Sequence, residues 1–187
     1  MPAHELTVAA RRSGPRRRLV VLVVVLTVGV LLIDQATKVW ALANLLETAR
    51  RPLLGDLLGL RLVFNPGAAL SIATGMTWVL TLVAFAVVVV VVRVSRRLGS
   101  TGWAIALGLL LGGALGNLVD RLIREPGIAR GHVIDFIAYA NVFVGNVADI
   151  AIVTAAGLVV LQALRGVRLD GMRERAEPKP EAPGVDD

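Results

Sequence analysis

The segment LVVLVVVLTVGVLLIDQATK, residues 19–38, indicates the class of fold. Residues 19–33 form an almost uninterrupted apolar run, and three arginines at 16–18 precede it. A membrane-spanning helix needs about 20 predominantly apolar residues, and basic residues commonly flank such a helix on its cytoplasmic side. The stretch therefore predicts a first transmembrane span that ends near two ionisable residues, Asp34 and Lys38.

Three further apolar runs follow, at residues 77–92, 103–119 and 147–164. The chain has 187 residues, of which 56% are hydrophobic and only 18% are charged, and its mean hydropathy is +0.73. Soluble domains contain about 25% charged residues, so this composition excludes an ordinary soluble domain. The sequence predicts an all-α integral membrane protein of four transmembrane helices, with one membrane domain at residues 16–168.

Basic residues indicate how the four spans are oriented. The predicted polar tail at 1–15 together with Arg16–Arg18, the connection between spans two and three, and the segment after span four carry 13 of the 20 Lys and Arg residues. The positive-inside rule therefore places both termini in the cytoplasm. It also accounts for the net charge of +6 without nucleic acid as a partner. Residues 169–187 are rich in charge and Pro, which predicts a disordered cytoplasmic tail.

The first span has an alternative interpretation as part of a cleaved signal peptide. Ala41-Leu42-Ala43 resembles a small-residue cleavage site. Cleavage there would discard Asp34 and Lys38 together with the span, so a retained helix is the favoured interpretation.

The polar residues within the spans fall at one side of the membrane in this topology. An ionisable group inside a transmembrane segment is costly and marks a functional site unless a partner explains it. The outer ends of the spans and the outer loop before span four hold Asp34, Lys38, Asn117, Asp120, Arg121, Asp135, Asn146 and Asp149. Their convergence predicts a site near the outer membrane surface.

Simpler interpretations exist for some of these residues. Asp34 and Lys38 are four residues apart, a helical spacing that favours an ion pair at a helix end. For Asp120, the simpler interpretation is an interfacial charge that only ends span three. Asp149 has no Lys or Arg within a helical turn, so we expect it to need a polar partner from elsewhere in the fold.

Asp135, in GHVIDFI, and Asp149, in VADIAIV, both lie among apolar residues. Two such carboxylates brought together cannot both ionise cheaply, so one retains a proton near neutral pH. An aspartic protease uses this division of roles: one carboxylate activates water and the other polarises the scissile carbonyl. Two unrelated buried acids remain the alternative.

Other catalytic chemistries lack the residues that they need. The chain has no Cys, and its two histidines are His4 and His132, so neither a thiolate site nor a zinc motif is expected. Ser71 with His132 has no supporting motif. We therefore expect neither a metal nor a cofactor.

The segment 58–72 alternates apolar residues and contains Asn-Pro-Gly, which predicts a small extracytoplasmic β element between spans one and two. An open strand edge there would bind an extended peptide, although an ordinary loop is an alternative. In span three, Gly108, Gly112 and Gly116 are spaced by four and predict close helix packing.

Five blocks of the sequence together resemble signal peptidase II, the bacterial lipoprotein signal peptidase family. They are DQATK at 34–38, NPGAALS at 65–71, GGALGNLVDR at 112–121, VIDF at 133–136 and NVAD at 146–149. The resemblance implies an inner-membrane aspartic protease that removes the signal peptide from diacylglyceryl-modified prolipoproteins, just before the lipidated Cys. The substrates and membrane lipids would be its partners, and we expect the chain itself to be a monomer.

The resemblance also assigns roles by motif. Asp135 and Asp149 would be catalytic; Asn65, Asn117, Arg121 and Asn146 would line the substrate site; Asp34, Lys38 and Asp120 would support it. The sequence departs from the family pattern at Leu70 and Gly145, where the family often has Phe. Neither departure changes a polar residue of the predicted site. Both are expected to affect only the shape of the surface that contacts the substrate.

Two other classes of protein compete with the peptidase interpretation. A small ion transporter also places charges inside a helix bundle, but it needs polar groups toward the cytoplasmic half, where spans two and four are almost wholly apolar. A membrane scaffold packed through the glycines of span three would not depend on Asp135 or Asp149.

Overall fold

The computed structural model describes residues 3–67, 77–140 and 142–173, with side chains from residue 16 onward. Its helices are α1 (Ala3–Asn44), α2 (Thr77–Ser95), α3 (Thr101–Ile123) and α4 (Val147–Leu164). Its strands are β1 (Arg51–Leu54), β2 (Leu58–Asn65), β3 (Val133–Tyr139) and β4 (Phe143–Gly145).

Each of the four helices is long and apolar enough to cross a membrane. The qualifying segments are Arg16–Asn44, Thr77–Ser95, Thr101–Ile123 and Val147–Leu164. The prediction of four spans is therefore confirmed. Helix α1 begins at Ala3 and so runs through most of the predicted polar tail, whereas Leu70 and the predicted tail beyond residue 173 lie outside the described residues.

Helix α3 lies at the centre of the bundle and packs against α1, α2 and α4. In α3, 56% of the apolar segment is buried, against 17–22% in the other three helices. The outer faces of those three helices carry exposed Val, Leu, Ile and Phe side chains. Lipid is the natural solvent for such faces.

Small residues let α3 approach its neighbours closely. A Cβ atom at Gly112 would lie 2.7 Å from Cβ of Val30 and 3.0 Å from the Thr27 carbonyl oxygen on α1. At Gly113, on the side of α4, it would lie 2.6 Å from the Ala148 carbonyl oxygen. The glycines therefore set the distance between helices, as their spacing predicts.

The β structure is larger than the sequence predicts and differently placed. Four antiparallel strands form one sheet in the order β1-β2-β3-β4, and β3 and β4 come from the connection between α3 and α4. The all-α description is therefore too narrow. The sequence does not predict strand β3, because consecutive residues such as Ile134 and Asp135 are buried on its two faces. The strand therefore lacks the alternation of apolar and polar residues that marks a half-buried strand.

The open edge predicted at residues 58–65 is covered over only part of its length. Strand β1 pairs with Leu58, Gly59 and Leu60 of β2, and this pairing does not extend to residues 61–65 within the described part of the chain. Strand β3 pairs along the other side of β2. Peptide binding at this edge stays a prediction.

The sheet is fixed to the end of α1 by an apolar cluster. Ala41, Leu45, Leu62, Ile134 and Phe136 are each at most 6% exposed and pack together. This contact holds β3, which carries Asp135, at the end of the bundle. It also makes the segment around Ala41 part of the folded core.

We predict that Gly112→Ala destabilises the protein, because the new methyl group overlaps α1. Overpacking of this kind typically costs about 1–3 kcal/mol. Gly157→Ala, on α4, is the matched control, since nothing lies within 4 Å of a Cβ atom there. Thermal unfolding in detergent should give a lower midpoint for Gly112→Ala only; equal midpoints for the two variants would contradict the packing account.

Candidate active site

A buried cluster of charges lies where α1 meets α3. Nζ of Lys38 is 2.8 Å from Oδ2 of Asp34 and 2.7 Å from Oδ2 of Asp120, and all three side chains are fully buried. Nε of Arg124 is 2.6 Å from the other oxygen of Asp120. The interpretation of Asp120 as an interfacial charge that only ends span three is therefore wrong. Buried charges persist because partners compensate the loss of hydration.

The same carboxylates connect four elements of the fold. Oδ2 of Asp120 accepts a hydrogen bond from the backbone N–H of Ile134 in β3 at 3.2 Å. Oδ1 of Asp34 accepts one from the N–H of Ala148, in the first turn of α4, at 2.9 Å. The cluster therefore fixes β3 and α4 relative to α1 and α3.

Sequence reasoning missed two members of this cluster, Gln35 and Arg124. Nε2 of Gln35 donates to Oδ2 of Asp34 at 3.2 Å and to the Gly116 carbonyl at 3.1 Å. Arg124 follows Asp120 by four residues, a helical spacing that signals an ion pair. Gln35 has no comparable signal beyond its place beside Asp34.

Asn117 connects the charged cluster to Asp149. Its Oδ1 accepts from Nζ of Lys38 at 3.1 Å, and its Nδ2 donates to Oδ1 of Asp149 at 3.0 Å. Because an ammonium group can only donate, Lys38 orients the amide of Asn117 with its NH₂ group toward Asp149. This is the polar partner that Asp149 needs.

Asn146 connects Asp149 to Asp135. Its Oδ1 accepts from the N–H of Asp149, and its own N–H donates to Oδ2 of Asp149, both at 3.0 Å. This reciprocal pair is a capping box at the start of α4. Nδ2 of Asn146 donates to Oδ1 of Asp135 at 2.6 Å, so one asparagine contacts both carboxyl groups.

Asp135 is held from two sides and is 1% exposed. Nδ2 of Asn65, the last residue of β2, donates to its Oδ2 at 2.7 Å. Burial raises the pKa of Asp135 to about 7, and the negative charge of Asp149 acts in the same direction. Hydrogen bonds from Asn65 and Asn146 and the charge of Lys38 oppose the increase. Asp135 therefore exchanges a proton near neutral pH.

Arg121, in the last turn of α3, is 9% exposed. Its Nη1 is buried and has no hydrogen-bond partner among the described residues.

Five of the residues predicted for the site form one hydrogen-bonded network in the structure: Asn65, Asn117, Asn146, Asp135 and Asp149. Arg121 lies outside that network within the described residues.

An open apolar groove of about 520 Å³ extends along α4 from Asp149. Tyr139 and Phe143 line it from the sheet, and Ile150, Val153 and Thr154 line it from the helix. The two rings stack with their centroids 6.0 Å apart. Sequence reasoning did not identify either aromatic residue, because the pairing of β3 with β4 brings them together.

The Phe143 ring occupies the space beside Gly145. A Cβ atom at Gly145 would lie 2.7 Å from the ring of Phe143 and 2.9 Å from Oδ2 of Asp149. Any larger residue at 145 would therefore displace the ring or disturb the capping box.

These features are those of a four-helix membrane protein in which two carboxyl groups, Asp135 and Asp149, both contact Asn146 at one end of the bundle beside an apolar groove. A family model described as signal peptidase (SPase) II matches residues 26–165. The chain belongs to the signal peptidase II family and is a peptidase.

Several relatives support this assignment. The lipoprotein signal peptidase of Rhodococcus jostii is 54% identical over 148 residues, which cover 79% of this chain and 75% of the relative. That of Mycobacterium avium is 45% identical over 179 residues, covering 95% of this chain and 98% of the relative. The resemblance found in the sequence is thereby confirmed.

The fold resembles that of a solved bacterial membrane enzyme, with a TM-score of 0.68 and 23% sequence identity. The match covers 76% of this chain and 92% of that enzyme.

We predict that Lys38→Met strongly destabilises the protein, because it leaves Asp34 and Asp120 buried without their shared cation. Removing one partner of a buried ion pair typically costs about 3–5 kcal/mol. Arg51→Met, at an exposed position on β1, should change stability by less than about 0.5 kcal/mol. Chemical unfolding in detergent measures both; a Lys38→Met protein as stable as Arg51→Met would refute the role of the cluster.

Proposed function

We propose that Asp135 and Asp149 form the catalytic pair of an aspartic endopeptidase that cleaves diacylglyceryl-modified prolipoproteins just before the lipidated Cys. The family to which the chain belongs removes signal peptides from prolipoproteins. The observation that carries the catalytic assignment is the contact of one asparagine, Asn146, with both carboxyl groups.

Chemistry at this pair requires one proton shared between two carboxyl groups. The ionised carboxylate accepts a proton from water, and the protonated carboxyl group donates to the scissile carbonyl oxygen as the water oxygen attacks its carbon. When the tetrahedral intermediate collapses, the C–N bond breaks and the amine leaves with a proton from the pair. A pKa of about 7 for Asp135 suits this exchange.

The asparagines hold the pair in position. Asn65, Asn117 and Asn146 each donate a side-chain N–H to one of the two carboxylates. Fixed donors of this kind position the catalytic groups before substrate arrives. We assign Asn65, Asn117 and Asn146 a further role in lining the substrate site, where their amides meet backbone groups of the peptide.

The groove and Arg121 suit a lipidated peptide. The groove is lined almost entirely by apolar side chains and opens beside Asp149, so it accommodates apolar side chains or acyl chains next to the scissile bond. Arg121 has a buried Nη1 without a partner among the described residues, which makes it a donor for a substrate carbonyl or phosphate oxygen.

We further propose that the chain is a monomer of the bacterial inner membrane with both termini in the cytoplasm. The distribution of basic residues supports this orientation. It places the sheet outside the cytoplasm and the site near the outer leaflet, where a membrane-anchored prolipoprotein presents its cleavage site.

The proposal predicts cleavage of a synthetic diacylglyceryl-modified peptide by the purified protein in detergent. Mass spectrometry should show one product that begins at the lipidated Cys. In H₂¹⁸O, the released signal peptide should carry ¹⁸O in its new carboxylate after a single turnover, because water attacks directly. The same peptide with an unmodified Cys is the control; equal cleavage of both peptides, or cleavage at another bond, would rule out the proposed specificity.

We also predict that Asn65→Ala shifts the basic limb of the pH–rate profile to higher pH. The amide of Asn65 stabilises the ionised form of Asp135 and lowers its pKa. Loss of that amide therefore raises the pKa of Asp135, and the carboxyl pair keeps its shared proton up to a higher pH. The wild-type kcat/KM should decline above a pH of about 7 and that of the variant above a higher pH. A shift toward lower pH would contradict this role.

A further inference from the structure

The end of the bundle opposite the catalytic pair carries a concentration of exposed cations. The described residues there include nine arginines: Arg16, Arg17, Arg18, Arg93, Arg96, Arg97, Arg165, Arg168 and Arg173. All of them are exposed, and no ion pair within the described residues involves any of them. Asp170 is the only acidic residue with a described side chain at this end.

Two of these arginines, Arg97 and Arg168, line the same cleft. After α4, residues 165–173 form a segment, which we name the C-terminal strap, that folds against the turn between α2 and α3. A cleft of about 390 Å³ lies between the strap and this turn, lined by Arg97, Trp103, Arg168, Leu169 and Asp170.

The strap is held in place by backbone contacts and not by its charges. The N–H of Gly99 donates to the Leu169 carbonyl at 2.8 Å, and Nε1 of Trp103 donates to the Val167 carbonyl at 2.7 Å. A Cβ atom at Gly99 would collide with the Asp170 carbonyl. The strap and the turn between α2 and α3 therefore approach each other as closely as glycine permits. Arg97 and Arg168 are therefore carried on fixed loops.

The carboxylate in the cleft does not neutralise these arginines. Oδ1 of Asp170 accepts a hydrogen bond from the N–H of Met172 at 3.1 Å. The side chains of Arg97 and Arg168 have neither a hydrogen bond nor an ion pair to a described residue. Two guanidinium groups that line one cleft are suited to bind the oxygens of a phosphate group.

A second, apolar groove lies along α2, and its two arginines come shortly before Arg97 in the chain. It has a volume of about 260 Å³ and is lined by Val88, Val89, Val92, Arg93 and Arg96. The valines belong to the membrane-spanning segment of α2, and the arginines follow them at the end of that segment. A site with cations at the membrane surface and an apolar groove within the membrane matches the two parts of a phospholipid.

We propose that this end of the protein binds an anionic phospholipid of the bilayer, with its phosphate between Arg97 and Arg168 and an acyl chain along the valines of α2. The site is separate from the catalytic pair and does not depend on the proposed peptidase mechanism.

Lipid titration of the full-length purified protein tests the proposal, with native mass spectrometry to count bound lipids. Wild type should bind dioleoyl phosphatidylglycerol more tightly than the zwitterionic dioleoyl phosphatidylcholine. Each arginine near an anionic lipid surface contributes about fivefold in affinity, so Arg97→Gln/Arg168→Gln should bind phosphatidylglycerol roughly twenty-five-fold more weakly. Arg97→Lys/Arg168→Lys retains the charge and should keep most of the affinity.

The matched control is Arg51→Gln/Arg130→Gln, which removes two exposed arginines from the other end of the protein and should bind phosphatidylglycerol as wild type does. Unchanged binding by Arg97→Gln/Arg168→Gln would overturn the proposal, as would equal affinity of wild type for the two lipids. If sn-glycerol 1-phosphate alone bound as tightly as the lipid, the site would be one for a soluble phosphate. Peptide cleavage should be unaffected in Arg97→Gln/Arg168→Gln, so the outcome is independent of the catalytic proposal.

Discussion

The rest of the site depends on the ammonium group of Lys38, which is buried between two carboxylates and an amide. It compensates Asp34 and Asp120, which also accept hydrogen bonds from backbone N–H groups of α4 and β3. Lys38, with Arg124 on the other oxygen of Asp120, therefore makes it possible to bury two acids. These acids in turn fix the elements that carry Asp149 and Asp135. A bilayer interior makes such compensation obligatory, because water cannot solvate an unpaired charge there.

A chain of hydrogen bonds connects the Lys38 cluster to the carboxyl groups of Asp149 and Asp135. Lys38 fixes the orientation of the Asn117 amide, Asn117 donates to Asp149, and the capping box of α4 places Asn146 against Asp149. The side chain of Asn146 reaches Asp135 on the neighbouring strand. A helix cap that would ordinarily only stabilise α4 thus also sets the spacing of the groups that we propose to be catalytic.

The sequence predicts the helices better than the sheet, for a physical reason. Apolar runs of nearly 20 residues have few structural alternatives, and the predicted spans match α1 to α4 within a few residues at most ends. Strand β3 is buried on both faces, and β4 has only three residues, so neither shows a period of two. The groove beside Tyr139 and Phe143 arises from the pairing of those strands, which a single sequence does not specify. The polar residues were identifiable because charged and amide side chains are rare in membrane spans, whereas the burial of Asp120 depends on Lys38, 82 positions earlier.

The most direct test of the central claim, that Asp135 and Asp149 act as one catalytic unit, is the activity of Asp135→Asn and Asp149→Asn on a diacylglyceryl-modified peptide. Asn is nearly isosteric with Asp and accepts no proton from water, so each variant should fold, as judged by its unfolding midpoint, and yet lose nearly all activity. Asp170→Asn, at the opposite end of the bundle, should cleave as wild type does. Substantial cleavage by a folded Asp135→Asn or Asp149→Asn protein would contradict the account.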